Sequence, residues 1–262
     1  MKKRSLLLTI VTVFLCGSLT ACTNGKKEEV QEEKKEILIS AAASLKEAME
    51  EIKEDYEKDN NVTLTFNFGA SGSLQKQIEE GAPADIFISA GEKQFKALEE
   101  GGFLDENSKS NIAKNNLVLI VNKDHENEIK DLKDLDNLKG YIAIGETGSV
   151  PAGQYAMEAL TYYDKWTNIQ EKIVYAKDVK QVVSYVESGE AVCGIVYGSD
   201  AMQIKNSVIA LSFDKESHKE IVYPGGVIKE SKVKEEASVF LKYLTEGHGS
   251  KVLKKYGFNA EK

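Results

Sequence analysis

The sequence predicts an α/β fold in two lobes, each a mostly parallel sheet flanked by helices. Short apolar runs recur along the chain, and each is followed by an amphipathic stretch, the alternation of a strand–helix architecture. The run Leu117 to Val121, entered from the polar Lys114-Asn115-Asn116, marks a crossing into a second lobe near Asn116. Pro224-Gly225-Gly226, set between two apolar segments, marks the return. Residues 36–116 with 224–262 then form the first, discontinuous lobe, and residues 117–223 the second. No repeat of solenoid period is present.

In chain order, Ile37-Leu38-Ile39 reads as a buried strand. Leu45, Ala48, Met49, Ile52 and Tyr56 then share one helical face. Val62 to Phe68 alternates apolar and polar residues as a strand does, and a helix over about Leu74 to Glu80 follows. Gly81 to Ala84 breaks it, Asp85 to Ala90 is the next strand, and Gln94 to Glu100 is helical before the turn at Gly101-Gly102. The second lobe continues with a helix carrying Leu132, Leu135 and Leu138 and the strand Tyr141 to Ile144. The helix Pro151 to Leu160, the strand Ile173 to Tyr175 and the helix Val179 to Glu187 come next. The strands Val192 to Tyr197 and Val208 to Phe213 complete the lobe. Two closing helices present Val233, Ala237, Phe240, Leu241 and Leu244, then Val252 to Tyr256.

The first residues form a separate segment. Met1-Lys2-Lys3-Arg4 is a basic start, Leu6 to Leu15 a short apolar core, and Leu19-Thr20-Ala21-Cys22 the close of a secretory signal. The apolar core is too short for a comfortable membrane span. The closing four residues resemble a bacterial lipobox, which implies removal of residues 1–21 and a lipid on Cys22. Thr23 to Lys35 holds four Lys, four Glu and one aliphatic residue, Val30, so residues 22–35 read as a lipidated cysteine and flexible tether.

Removing the signal takes away three of the 34 basic residues and none of the 42 acidic ones, leaving a net charge of −11. That balance argues against nucleic acid as a partner. It also disfavours anions in general, so an anion site on this chain has to work through local geometry. Of the three cysteines, Cys193 lies in the apolar run AVCGIVYG and reads as a small core residue. No C-x-x-C or His/Cys cluster suggests a bound metal ion or cofactor.

Four strand-to-helix junctions concentrate hydroxyls, small residues and free backbone N–H groups, which together suit a small anion. Ser44 opens the first, where Ser44-Leu45-Lys46-Glu47 also fits a self-contained capping box. Gly69-Ala70-Ser71-Gly72-Ser73 is the second. It lacks both the G-x-S-x-G of an esterase elbow and the G-K-[ST] of a P-loop, and also fits a simple helix cap. The third, Thr147 to Gly153, places Pro151 at a first helical position and leaves the Ala152 N–H free. The fourth, Asp178-Val179-Lys180-Gln181, combines a second capping pattern with the Val179 N–H. Tyr197, ending a strand, adds a phenol. Each junction alone is also an ordinary helix start.

Six segments in matching order resemble the molybdate-binding protein of ABC transporters. They are AAASL at 41–45, GAPADIFISA at 81–90, VPAG at 150–153, GIVYGSDA at 194–201, SHKEIVYP at 217–224 and KKYGF at 254–258. The resemblance runs from about Ile37 to Phe258. It implies a two-lobed, type II periplasmic-binding-protein-like fold with the ligand in the interlobe cleft. It further implies an oxyanion, molybdate or tungstate, held by Ser44, Ser71, Ala152, Val179 and Tyr197, with Ala152 and Val179 acting through their N–H groups. GASGS departs from a serine-richer family loop and offers both Ser71 and Ser73, of which Ser71 is the favoured match. The expected partners are the oxyanion, a membrane permease and the membrane through the lipid on Cys22, with the protein acting as a monomer. No catalysis is expected. A hydrolase using Ser71 would require a nearby base, whereas His125, His218 and His248 lie in polar segments away from the serines. A site for sulfate or phosphate is the closer rival. An organic anion would usually call for an arginine clamp, and Arg4 is the sole arginine.

Overall fold

The computed structural model describes residues 34–259. The signal segment, Cys22 and nearly all of the tether lie outside the described residues. The first strand, β1, spans Lys35–Ala42 and so opens two residues ahead of the Ile37 apolar run; Lys35 and Glu36 are exposed and pair with the neighbouring strand.

The remaining elements of the first sheet follow in order. A one-turn 3₁₀ segment, Ala43–Leu45, leads into α1 (Lys46–Asp59), then β2 (Val62–Gly69), α2 (Ser71–Glu79), β3 (Ile86–Ile88), α3 (Glu92–Glu100) and β4 (Ser110–Asn115). The chain then builds the second sheet with β5 (Leu117–Asn122), β6 (Ile142–Gly145), α4 (Pro151–Tyr162), α5 (Trp166–Ile169), β7 (Ile173–Ala176), α6 (Val179–Glu187), β8 (Cys193–Tyr197), α7 (Gly198–Ala201) and β9 (Ser207–Ser212). It returns with β10 (Ile221–Val227), α8 (Lys234–Glu246) and α9 (His248–Lys255).

The two sheets share one topology. The strand orders are β2-β1-β3-β10-β4 and β7-β6-β8-β5-β9. In the first, β10 runs antiparallel to both of its neighbours; in the second, β5 does. Each sheet is therefore mixed, with one reversed strand in an otherwise parallel set. The reversed strands are those that carry the chain between sheets. The α/β expectation of two sheets flanked by helices holds.

Three local readings need correction. Pro224-Gly225-Gly226 is no connection but the interior of β10, with a register shift against β4 between Tyr223 and Pro224. Proline has no N–H to give the ladder, and a bulge is where a strand tolerates it. The two glycines fit because a Cβ on Gly225 would press on Ile112 and Leu241, and one on Gly226 on Phe95. β4 was not anticipated: Ser110 to Asn115 is mostly polar because it is an edge strand that buries only Ile112 and Ala113. The leucine-rich segment at 132–138 is a 3₁₀ turn, Leu132–Asn137, rather than an α-helix. Reciprocal bonds between Asp131 and Asp134 cap it.

The core lies against both sheets. β5 is buried along its whole length, as are Ile142 to Gly145 of β6 and Cys193 to Tyr197 of β8. α4 approaches β6 so closely that a Cβ on Gly153 would lie 1.9 Å from the Gly145 carbonyl oxygen. That contact sets the N-terminus of α4 at the carboxyl end of β6. Cys193 is a buried free thiol, and burial pushes it up to about 12, so it is an inert core group.

Candidate functional site

Ligands in open α/β sheets collect at the carboxyl ends of the parallel strands. Six such ends converge here. β1 runs out through Ala42 and Ala43 to Ser44, β2 through Gly69 and Ala70 to Ser71, and β3 towards Ala90. From the second sheet come the start of α4 after β6, the start of α6 after β7, and Tyr197 at the end of β8. They enclose a small, tightly drawn cavity, partly open to solvent. Its lining includes Ser44, Ser71, Ala152, Val179 and Tyr197 together, with Asp178 beside them. All five anticipated residues thus meet at one place. Ser73, the alternative to Ser71, is exposed and does not line the cavity.

The serine hydroxyls are placed by contacts that sequence reasoning did not supply. Ser44 does not cap α1; Leu45 occupies the N-cap position with no side-chain bond, and Glu47 turns away to Lys180. Ser44 Oγ instead lies 2.9 Å from the phenol of Tyr223. Ser71 Oγ accepts the Ala90 N–H at 3.0 Å. A hydroxyl that accepts one bond keeps its own proton to donate. Ser71 is thereby left with a proton for the cavity, and α2 begins at Ser71 rather than at Leu74 as expected.

Two more donors come from the helix starts. Val150 is the N-cap of α4 with Pro151 in its first turn, and Asp178 is the N-cap of α6. The N–H groups of Ala152 and Val179 lie in those first turns, where the helix supplies no internal acceptor. The helix dipoles add partial positive charge at the same points, about 0.3–1 kcal/mol each. Asp178, an unwelcome neighbour for an anion, turns its carboxylate to its own helix and accepts the Gln181 N–H at 2.9 Å. Only half of the capping box read at Asp178 and Gln181 forms: the Gln181 side chain accepts from the Lys177 N–H at 2.7 Å rather than from Asp178.

Tyr197 is fully buried, with its ring edge-on to Tyr223 at 5.9 Å and to Tyr155 at 6.5 Å. Burial holds its phenol well above the usual tyrosine range, so it stays a protonated donor at physiological pH. In this structure it reaches the Ala90 carbonyl at 3.4 Å. That bond joins the two sheets, and others do the same. The Gly72 N–H donates to the Ser149 carbonyl at 2.9 Å. Lys180 of α6 meets Glu47 of α1 at 2.6 Å and the buried Asp200 at 2.9 Å. These contacts draw the two lobes together around the cavity.

Lys180, in the first turn of α6, has its charge already engaged. Burial alone would lower its ammonium, but Asp200 and Glu47 outweigh that and hold it above the usual lysine value. Among the described residues no group of His, Cys, Asp and Glu is arranged to hold a metal ion. Chemically, the cavity is a shell of hydroxyl and peptide donors without an unpaired cation. Such a shell suits a small, fully ionised anion.

Residues 37–259 match the profile of the bacterial extracellular solute-binding protein family. A Bacillus subtilis protein, YvgL, provisionally named as an ABC transporter substrate-binding lipoprotein, is 41% identical over 261 residues, 99% of each chain. The molybdate-binding protein ModA of Haemophilus influenzae is 38% identical over 230 residues, 86% of this chain and 90% of that one. Among solved structures, the substrate-binding domain of a Clostridium difficile protein provisionally assigned to molybdenum ABC transport superposes with a TM-score of 0.68. It is 46% identical, covering 87% of this chain and 99% of that one. With a family match running from β1 past α9, and relatives this similar along most of their length, the chain belongs to the bacterial extracellular solute-binding proteins.

Proposed function

We propose that this protein captures molybdate, and tungstate with it, outside the cytoplasm and delivers it to the membrane permease of an ABC transporter. One observation carries the reading: Ser44, Ser71, Ala152, Val179 and Tyr197 converge on a single small cavity where every polar group offered by them is an uncharged donor. In this reading the serine and tyrosine hydroxyls and the two amides each donate to an oxygen of a tetrahedral dianion. Hydrogen bonds to a charged group contribute about 1.5–3 kcal/mol each. Five at about 2 kcal/mol correspond to a sub-micromolar dissociation constant before ordering costs. The names of the Haemophilus influenzae and Clostridium difficile relatives support molybdenum as the cargo.

The ligand contacts both lobes, so binding favours the closed arrangement, and a permease would recognise that state. Cys22 would hold the protein to the membrane by its lipid, on the tether of residues 22–35, as a monomer. The Bacillus subtilis relative's description as a lipoprotein is in keeping with this. A donor-only shell disfavours phosphate, which near neutral pH often carries a proton that would face donors with no acceptor. Sulfate carries none, so the cavity's size has to exclude it.

Calorimetry on the purified domain tests the assignment with molybdate, tungstate, sulfate and phosphate in parallel. The expected result is tight one-to-one binding of molybdate and tungstate with little discrimination between them, and weak binding of sulfate and phosphate. Equal affinity for sulfate would overturn the choice of anion.

A further inference from the structure

We propose that Asn115 and Tyr223 form a hydrogen-bond relay that locks the Ser44 hydroxyl in its donating sense, and that this lock rejects oxyanions carrying a proton. The inference rests on the reading of the cavity as an oxyanion site.

The direction of the relay follows from groups whose roles are fixed. Asn115 Oδ1 faces two backbone donors, the Asn116 N–H at 3.0 Å and the Ser199 N–H at 3.4 Å. Backbone N–H groups only donate, so this end of the Asn115 amide is the oxygen and the other end is the NH₂. Asn115 Nδ2 donates to Ser199 Oγ at 2.8 Å and to the Tyr223 phenol oxygen at 3.3 Å. The Tyr223 oxygen therefore accepts on one side and has its own proton to place. Tyr223 is fully buried, where an unpaired O–H is costly. The acceptor at 2.9 Å is Ser44 Oγ. Burial holds the phenol well above the usual tyrosine range, so the proton stays on it. Edge-on packing against Phe258 at 5.3 Å and Tyr197 at 5.9 Å fixes its ring.

Ser44 thus accepts from Tyr223, and its single proton is left for the cavity. The Ser71 hydroxyl is set in the same sense by the Ala90 N–H. Both serines are committed donors before any anion arrives. A fully ionised oxyanion satisfies both protons, whereas an anion whose O–H points at either hydroxyl sets proton against proton. Tyr223 and Asn115 touch the ligand only through Ser44 and are positioning residues. They come from β10 and β4, and Ser199 from the start of α7, so the relay ties the strand crossing at Asn115 to the cavity.

A double-mutant cycle tests this, with molybdate affinity read by calorimetry for wild type, Ser44→Ala, Tyr223→Phe and the double variant. Ser44→Ala and Tyr223→Phe are each expected to weaken binding by about tenfold or more. The double variant should be no weaker than Ser44→Ala alone, because Tyr223 acts only through that hydroxyl. Displacement of molybdate by phosphate at pH 7.5 supplies a second readout. Tyr223→Phe should lose molybdate affinity without losing phosphate affinity, narrowing the ratio by about tenfold. Thermal unfolding without anion checks that each variant folds, and Asn115→Ala replaces Tyr223→Phe in the cycle if that variant does not. Losses that multiply in the double variant, or equal losses for both anions, would overturn the relay. A wild-type protein that fails to bind molybdate would instead overturn the assignment on which the relay rests.

Discussion

Gly72→Ala should cost about a hundredfold in molybdate affinity while leaving the unliganded protein as stable as before, or slightly more so. Gly72 lies in the first turn of α2, directly across the cleft from Ser149. A Cβ there would lie 2.6 Å from the Ser149 carbonyl oxygen and 2.8 Å from its Cα. Both are backbone atoms, so no side chain can swing aside to relieve the clash. Closure would have to stop short or displace the segment that leads through Pro151 to the Ala152 N–H. It would also lose the Gly72 N–H bond to Ser149. One lost neutral bond at about 1 kcal/mol and one misplaced donor to a charged ligand at about 2 kcal/mol amount to about 3 kcal/mol, or about a hundredfold. The clash exists only between lobes. Within α2 alone, alanine is the better helix former by about 1 kcal/mol. Calorimetry paired with thermal unfolding separates the two effects. Undiminished affinity would mean that the lobes do not approach this closely when the anion is bound.

Lys180→Met should be the most destabilising single change near the cleft. Lys180 lies between Glu47 on the first lobe and Asp200, whose carboxyl is fully buried. The approach to Asp200 is a charge contact rather than a well-angled hydrogen bond, so charge balance is what Lys180 provides. Removing it strands a buried carboxylate, which costs about 3–5 kcal/mol. For a protein of this size that is a fall of roughly 10 °C in the thermal midpoint. The effect should depend on pH in a definite sense. Burial raises the Asp200 carboxyl above its ordinary range even with Lys180 opposing it, and without Lys180 it rises further. The penalty belongs to the ionised form. It is present above the raised value and is relieved as pH falls through it, when the native state takes up a proton. Thermal unfolding of both proteins from pH 8 to pH 5 should show the deficit shrinking toward acid. A constant deficit would mean that Asp200 is not the group left unbalanced.

How much of this was legible beforehand varies with the range of the interaction involved. Leu117 to Val121 and Cys193 to Tyr197 are buried strands whose apolar runs announce them, since burial on both faces is a local property of composition. β4 is an edge strand with one apolar face, and Ser110 to Asn115 carries too little hydrophobic pattern to separate it from a loop. Pro224 and Gly225 read as a break because the local rule is sound. The bulge and the tight packing that override it belong to the partner strand. The same division runs through the site. The starts of α4 and α6 could be placed from Pro151 and Asp178, because caps are local. Ser44 looked like a cap for the same reason, but its hydroxyl is claimed by Tyr223, 179 residues away. Lys180, Gly72 and Asn115 gave no signal of their own. Their importance comes from contacts across the cleft that only the folded chain creates.

The account depends on holding a doubly charged anion with hydroxyls and peptide amides in a cavity that no cationic side chain lines. The chain's own charge is unfavourable to the ligand, at −8 overall. Salt screens such repulsion, whereas hydrogen bonds inside a closed cleft are little affected by it. The most direct test is the molybdate dissociation constant measured from low to high sodium chloride. The account predicts an affinity that stays level or strengthens as salt rises. A steep loss of affinity with added salt, as an exposed lysine cluster would give, would contradict it.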